Sequence, residues 1–193
     1  AVVRRMRADG AICVKSFFER GFGNVSQLPV PTPETMDALI RAAHQEHMPV
    51  FLHANSSEAQ AFAVQTKVDA IVHGMWQWPG EDKQTSTITP SIQQTLDAIV
   101  KQGIGWQPTQ QVLYGELDSL DPAYLSNPLF AQVVPADLLR WYGTTDGQQY
   151  RNGIVSWLLK QPADAAPETI WKAGQDFYAP FLTRNRNVTA YLA

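Results

Sequence analysis

The stretch from residue 50 to residue 76 constrains the fold more than any other part of the sequence. It contains two short apolar runs, residues 50–52 and 68–72, and a histidine follows each run, His53 and His73. The residues between the runs have helix-forming composition, and Ser56 can cap the first free N–H groups of a helix. This pattern predicts a strand–helix–strand unit with parallel strands. We therefore expect both histidines at the C-terminal ends of neighbouring strands, where parallel α/β folds place their chemistry.

The same alternation continues on both sides of this unit. Apolar strands are predicted at residues 11–14, ending in Lys15, and at residues 104–108. Thr32 and Thr89 each precede a proline and an amphipathic stretch, which predicts two capped helices. Four strands that alternate with helices or loops are typical of a parallel sheet, either in a barrel or in a doubly wound fold. No glycine-rich phosphate loop follows a predicted strand, which weakens a dinucleotide-binding interpretation.

The sequence changes character after residue 110. Prolines divide the remainder into short apolar segments with helical spacing, and no further strand is predicted. We expect a single domain over residues 1–193, with β/α units in residues 1–110 and a helical region in residues 111–193.

Composition excludes several classes of protein. A net charge of −3 argues against a nucleic-acid partner. No apolar run is long enough to span a bilayer, so no membrane partner is expected. The single cysteine, Cys13, excludes an internal disulfide and zinc-ribbon spacing. The compartment stays open: the cytoplasm is the default, and export is an alternative because the N-terminus looks truncated. The sequence is also compatible with a homo-oligomer.

Three polar residues, Lys15, His53 and His73, are predicted to end consecutive parallel strands and so to converge on one mouth. Imidazoles bind zinc and similar divalent cations, and such a metal lowers the pKa of bound water from about 15.7 to about 7. A buried lysine with a depressed pKa can react with carbon dioxide to give a carbamate, which can bridge two metals.

With these residues the sequence resembles the amidohydrolase superfamily, closest to its imidazolonepropionase-related and Xaa-Pro dipeptidase-like branch. The resemblance is carried by Lys15 in C-V-K-S, His53 in V-F-L-H-A-N, His73 in D-A-I-V-H-G, and the pair Pro108-Thr109. It implies strands four to seven of a metal-dependent-hydrolase (β/α)8 TIM barrel. It also implies that Lys15 is a carboxylated catalytic lysine and that Lys15, His53 and His73 bind a divalent metal, with zinc expected.

Two features of that family are missing. The sequence has no His-x-His pair, which the family carries on its first strand. The family's eighth strand ends in an aspartate, and Asp146 in G-T-T-D resembles it only superficially, because residues 138–142 before it have helical character. Asp146 is predicted to be a turn or cap residue. The resemblance therefore implies an incomplete catalytic domain, the middle of a longer product.

The leading functional hypothesis is a metal-dependent hydrolase that cleaves C–N bonds through a metal-activated water. Its substrate would be a small amide, dipeptide or cyclic amide. One alternative is a non-catalytic structural fragment or binding module. The other is an aldolase-like barrel in which Lys15 forms a Schiff base.

The hydrolase hypothesis makes a geometric prediction. The ring nitrogens of His53 and His73 should lie about 3–4 Å apart, close enough to share one metal. His44 and His47 are predicted to lie at the surface or at a helix end, and Glu19 and Arg20 to form a solvated pair.

Overall fold

The computed structural model of the chain describes residues 1–21, 27–78, 80–121, 123, 126–162 and 164–193. The protein is α/β, with a four-stranded parallel sheet and a long C-terminal helix. Its strands are β1 (Val14–Phe17), β2 (Val50–His53), β3 (Ala70–Val72) and β4 (Gly105–Gln107). The helices of the first part are α1 (Val2–Ala8), α2 (Pro33–Gln45), α3 (Ser57–Thr66) and α4 (Pro90–Gln102), with a 3-10 turn at Gly80–Gln84. Those of the second part are α5 (Gln110–Asp118), α6 (Phe130–Val133), α7 (Ala136–Tyr142), α8 (Thr145–Leu158) and α9 (Pro167–Leu192).

The four strands are parallel and lie in the order β1-β2-β3-β4, which confirms the predicted pairing. The predicted start of β1 is wrong. Pairing begins at Val14, opposite Val50, and Ile12 is 77% exposed. Proline has no N–H for a ladder, so β2 cannot extend backwards through Pro49, and β1 has no partner before Val14. β1 therefore begins at Val14, so Lys15 is its second residue, and the strand ends at Phe17.

The sheet has one face covered by helices. Side chains alternate between the faces of a strand, and the register places Val50, Leu52 and Ile71 on the covered face. These three side chains are fully buried in one hydrophobic cluster with residues of α2, α3 and α4. Sequential strand order with helices packed on this face is consistent with part of a (β/α)8 barrel, whereas a doubly wound sheet reverses its strand order.

The opposite face carries the candidate site. By register, its residues are Lys15, Phe17, Phe51, His53, Ala70, Val72, Gly105 and Gln107. Lys15, Phe17, Gly105 and Gln107 are exposed there.

Local caps set the helix boundaries as predicted. The side chains of Thr32 and Ser56 accept hydrogen bonds from the backbone N–H groups of Thr35 and Ala59, at 3.2 and 3.1 Å. Thr89 caps α4 in the same way, and that helix ends at Gly103 with a φ of 66°, a left-handed conformation that glycine adopts without steric cost.

The chain separates into two compact units. The first unit contains residues 1–110 and 180–193, so the end of α9 belongs with the β/α units. Val188 of that end is fully buried in the core of the first unit. The prediction of a single domain over residues 1–193 stays a prediction.

The second unit, residues 111–179, is helical in its described residues. Among the side chains of this unit that the structure describes, the buried apolar ones are Leu113, Leu120, Ile170 and Tyr178. The Tyr178 hydroxyl donates to Glu116 at 3.0 Å, and burial raises the pKa of Tyr178. Asp146 is the second residue of α8, so it is helical and not the predicted turn or cap residue. The Thr144 hydroxyl accepts the backbone N–H of Gly147 at the start of that helix. Within the described ranges, no helix combines the length and apolar character that a bilayer crossing needs.

Candidate functional site

The fold brings His53 and His73 together. His53 is the last residue of β2 and lies opposite Val72 of β3, and His73 directly follows that residue. The two ring centroids are 4.6 Å apart, with the ring planes at 70°. The predicted separation of the ring nitrogens stays a prediction, but the imidazoles contact each other at the C-terminal edge of the sheet.

Lys15 lies on the same face as the histidines but not at a strand end. It pairs with Phe51, and Phe17, two residues later, is the residue opposite His53. The Lys15 side chain extends along the strand, with Nζ 5.3 Å from the Phe17 ring centroid. Its charge acts on His73, where it helps to lower the imidazole pKa. Lys15 is exposed, whereas the sequence argument for a carbamate assumed a buried lysine.

His73 is a neutral imidazole near pH 7. Burial, followed by the charges of His53 and Lys15, lowers its pKa from 6.5 to about 4, and Glu19 opposes this shift. Its Nδ1 lies 3.2 Å from the Thr109 hydroxyl, which donates its proton to the Gln107 carbonyl at 3.4 Å. The tautomer of His73 sets the direction of this bond: when the Thr109 hydroxyl gives its proton to Gln107, Nδ1 carries the hydrogen in the His73–Thr109 bond and Nε2 keeps a lone pair.

His53 is held by a residue that the sequence interpretation placed in solvent. Its Nε2 lies 3.2 Å from Glu19 Oε2, and the two side chains are only 9% and 10% exposed. The prediction of a solvated Glu19–Arg20 pair is wrong, because Arg20 binds Glu58 at 2.8 Å. A signal for Glu19 was available: residues 15, 17 and 19 share the parity that places side chains on one face of a strand.

The loop after β3 approaches the end of α9 very closely. A Cβ placed on Gly74 would lie 1.6 Å from Asn185 Oδ1, and Asn185 is 1% exposed. The Asn185 side-chain amide donates to the Pro108 carbonyl at 3.1 Å. His73, next to Gly74, has a φ of 81°, in the left-handed region that non-glycine residues rarely adopt.

Arg184 fixes the same loop further along. It is buried, and its guanidinium donates to the backbone carbonyls of Thr85, Lys83 and Trp76 at 2.9, 2.6 and 3.4 Å. These residues lie about a hundred positions apart in the chain, so local sequence patterns carry no signal for the contact.

The remaining histidine of interest lies elsewhere. His44 Nε2 contacts Asp69 at 2.9 Å, and Asp69 also accepts the backbone N–H of Val50, at the N-terminal end of β2. His44 is therefore not part of the candidate site, as its prediction as a surface residue implies.

Metal-binding capacity rests on few donors. Among the described residues, no three side chains of histidine, cysteine, aspartate or glutamate form a group able to hold a metal ion. Lysine is outside that set of donors, so a carbamate on Lys15 would add to the two imidazoles.

No protein-family model matches the chain, and no curated protein matches it at a significant level. Two solved structures show a distant structural relationship. One is an uncharacterized protein with 14% identity and a TM-score of 0.45, aligned over 99% of this chain and 46% of its own. The other is a Xaa-Pro dipeptidase with bound methionine in its active site, with 19% identity and a TM-score of 0.43, aligned over 98% of this chain and 45% of its own. The chain thus spans less than half the length of either structure, and the dipeptidase activity belongs to that second protein.

Proposed function

We propose that His53, His73 and Lys15 form part of the divalent-metal site of a hydrolase that cleaves C–N bonds in small amides, dipeptides or cyclic amides. The observation that carries this proposal is the pairing of two contacting imidazoles, each held by a separate partner. The Thr109 hydroxyl hydrogen-bonds to Nδ1 of His73, and Glu19 faces Nε2 of His53. Metal-ligating histidines characteristically have their second nitrogen fixed in this way by an oxygen acceptor.

The protonation state of His73 supports the proposal. A histidine must be neutral to bind a metal, and the low pKa of His73 keeps it neutral near pH 7. A divalent ion, when bound, supplies the Lewis-acid chemistry that activates water for attack on an amide carbon.

Two chemical roles are open to Lys15 in this site. As a carbamate it would supply oxygen ligands, and as an exposed amine it could instead form a Schiff base with a carbonyl substrate. Its exposure lets a dissolved reactant reach Nζ but does not supply the burial that the carbamate argument assumed. Borohydride reduction with carbonyl substrates traps only the Schiff base, and ¹³C NMR with labelled bicarbonate detects only the carbamate.

Zinc titration of the metal-free chain tests the site. We expect zinc to bind, and His73→Gln to weaken binding about 10–100-fold, because each lost ligand or supporting group has an effect of that order. His44→Gln is the matched control, since His44 lies at the other end of β2, and it should bind zinc like the wild type. Equal binding by all three proteins would contradict the metal site and favour the non-catalytic interpretation.

Hydrolytic activity of the 193-residue chain should be low. A catalytic zinc site needs about three protein ligands and a group that accepts a proton from water. The described residues offer two imidazoles and one lysine to the site, and the Glu19 carboxylate there is already engaged by His53 and Gly21. We therefore expect little turnover on N-acyl amino acids, Xaa-Pro dipeptides or cyclic amides with added zinc. Strong zinc-dependent turnover that His73→Ala abolishes would show that this ligand count is wrong.

A further inference from the structure

We propose that Glu19 is a positioning residue for His53, which its carboxylate holds in one ring orientation and in the Nε2–H tautomer. The expected effect of Glu19 on metal binding rests on the proposed function, whereas its effect on the His53 tautomer does not. The tautomer itself can be measured without metal.

The carboxylate is anchored at two points. Oε1 accepts the backbone N–H of Gly21 at 2.9 Å, and Oε2 faces His53 Nε2 at 3.2 Å. A carboxylate oxygen accepts hydrogen bonds and does not donate them, so the hydrogen of this bond is on Nε2 and the lone pair of the neutral ring is on Nδ1.

Burial gives this contact its strength. Both side chains are about nine-tenths buried, and a charge-assisted hydrogen bond that water does not screen is stronger than a neutral one. Arg20, the cation next to Glu19 in sequence, does not compete for the Glu19 carboxylate, because its guanidinium makes a two-pronged contact with Glu58.

Ring packing restricts the remaining motion of His53. Phe17 stacks on it with centroids 5.2 Å apart and planes at 30°, and His73 meets it at 4.6 Å. These contacts limit the tilt of the ring, but either tautomer could occupy the same volume. The carboxylate at Nε2 favours the tautomer that carries a hydrogen on that nitrogen.

Glu19→Gln replaces the carboxylate that faces His53 Nε2 with an amide and changes little else. Glutamine has nearly the same shape, and its amide oxygen can still accept from Gly21 while its NH₂ group faces His53 as a donor. A donor at this position favours a lone pair on Nε2 and a hydrogen on Nδ1. Glu58→Gln is the matched control, because it neutralises the carboxylate that binds Arg20 and leaves His53 untouched.

Long-range ¹H–¹⁵N correlation spectra of the metal-free full chain distinguish the two tautomers of the neutral ring. We expect the Nε2–H pattern of His53 in the wild type and in Glu58→Gln, and a shift to the Nδ1–H form in Glu19→Gln. A wild-type pattern in folded Glu19→Gln would overturn the proposal. Should that variant fail to fold, Glu19→Asp gives the decision: its shorter carboxylate should yield a mixture of tautomers, and an unchanged pattern would again overturn the proposal.

Zinc affinity supplies a second readout. We expect Glu19→Gln to bind zinc about 10–100-fold more weakly than the wild type and Glu58→Gln to bind it equally well. Equal zinc affinity in Glu19→Gln would contradict the positioning role. If the wild type binds no zinc, the proposed function fails, while the tautomer spectra still decide the role of Glu19.

Discussion

His73 links the candidate site to the pH dependence of stability. Its pKa is about 4 in the folded chain and 6.5 without the fold, so between these values the unfolded chain binds more protons than the folded chain. Stability should therefore fall as the pH drops from 6.5 towards 4. Urea unfolding of the metal-free protein at several pH values measures this loss, and His73→Gln should reduce it. An unchanged slope in the variant would assign the pH dependence to other groups.

Gly74 is a residue that tolerates no side chain. Gly74→Ala would place Cβ 1.6 Å from the buried Asn185 Oδ1, and overpacking of this kind costs about 1–3 kcal/mol. Gly115→Ala, in a helix with open space around the added atom, should be neutral or slightly stabilising. Chemical denaturation measures both.

A double variant identifies the cause of the Gly74 effect. If the clash with Asn185 is responsible, Asn185→Ala should recover part of the stability lost in Gly74→Ala, because the two residues are in contact. Strictly additive losses would show that the cost has another source.

Sequence patterns identified some site residues and not others, for a physical reason. His53 and His73 follow apolar runs whose ends are fixed locally, so their meeting could be predicted from strand adjacency. The apolar run before Lys15 predicts a strand end at that residue. The structure differs because pairing with β2, which starts only at Val14, determines where β1 begins. The shared parity of residues 15, 17 and 19 points to Glu19 only once β1 is known to continue to Phe17, and pairing with β2 determines that continuation.

At the scale of secondary-structure elements, the last turns of α9 fasten the loop after β3. Arg184→Ala leaves three backbone carbonyls without their charged donor, and losing hydrogen bonds to a charged group costs about 1.5–3 kcal/mol each in buried sites. We expect a loss of several kcal/mol in denaturant unfolding. Arg186→Ala, two residues away and exposed, is the control and should change stability by no more than about 0.5 kcal/mol.

Helix boundaries could be predicted well and helix contacts poorly. Thr32, Ser56 and Thr89 cap helices through bonds to residues three positions on, so the sequence contains both partners side by side. Arg184 and Asn185 bind carbonyls more than 75 positions away, and a backbone carbonyl has no sequence signature.

At the scale of the whole molecule, the first compact unit is discontinuous in sequence. Residues 180–193 supply it with the fully buried Val188 and with Arg184 and Asn185. Removing residues 180–193 should therefore abolish or strongly lower the thermal unfolding transition of this unit. A truncated chain that melts cooperatively at the wild-type temperature would contradict this expectation.

The sheet topology followed from the sequence because two strands joined through a crossover helix pair in parallel, and consecutive strands are usually neighbours. Closure into a (β/α)8 barrel does not follow in the same way. Alternation along β1 to β4 defines which face is covered by helices, but it carries no information about what lies against Lys15, Phe17 and Gln107 on the opposite face.

The left-handed backbone of His73 affects which residue types are favoured at position 73. A non-glycine residue in that region costs the fold about 1–3 kcal/mol, and glycine avoids most of that cost. A randomised library at residue 73 that is screened only for folded protein should therefore be enriched in glycine and asparagine. The same library screened for zinc retention should recover histidine. A screen for folding alone would therefore favour glycine over the histidine present in this sequence.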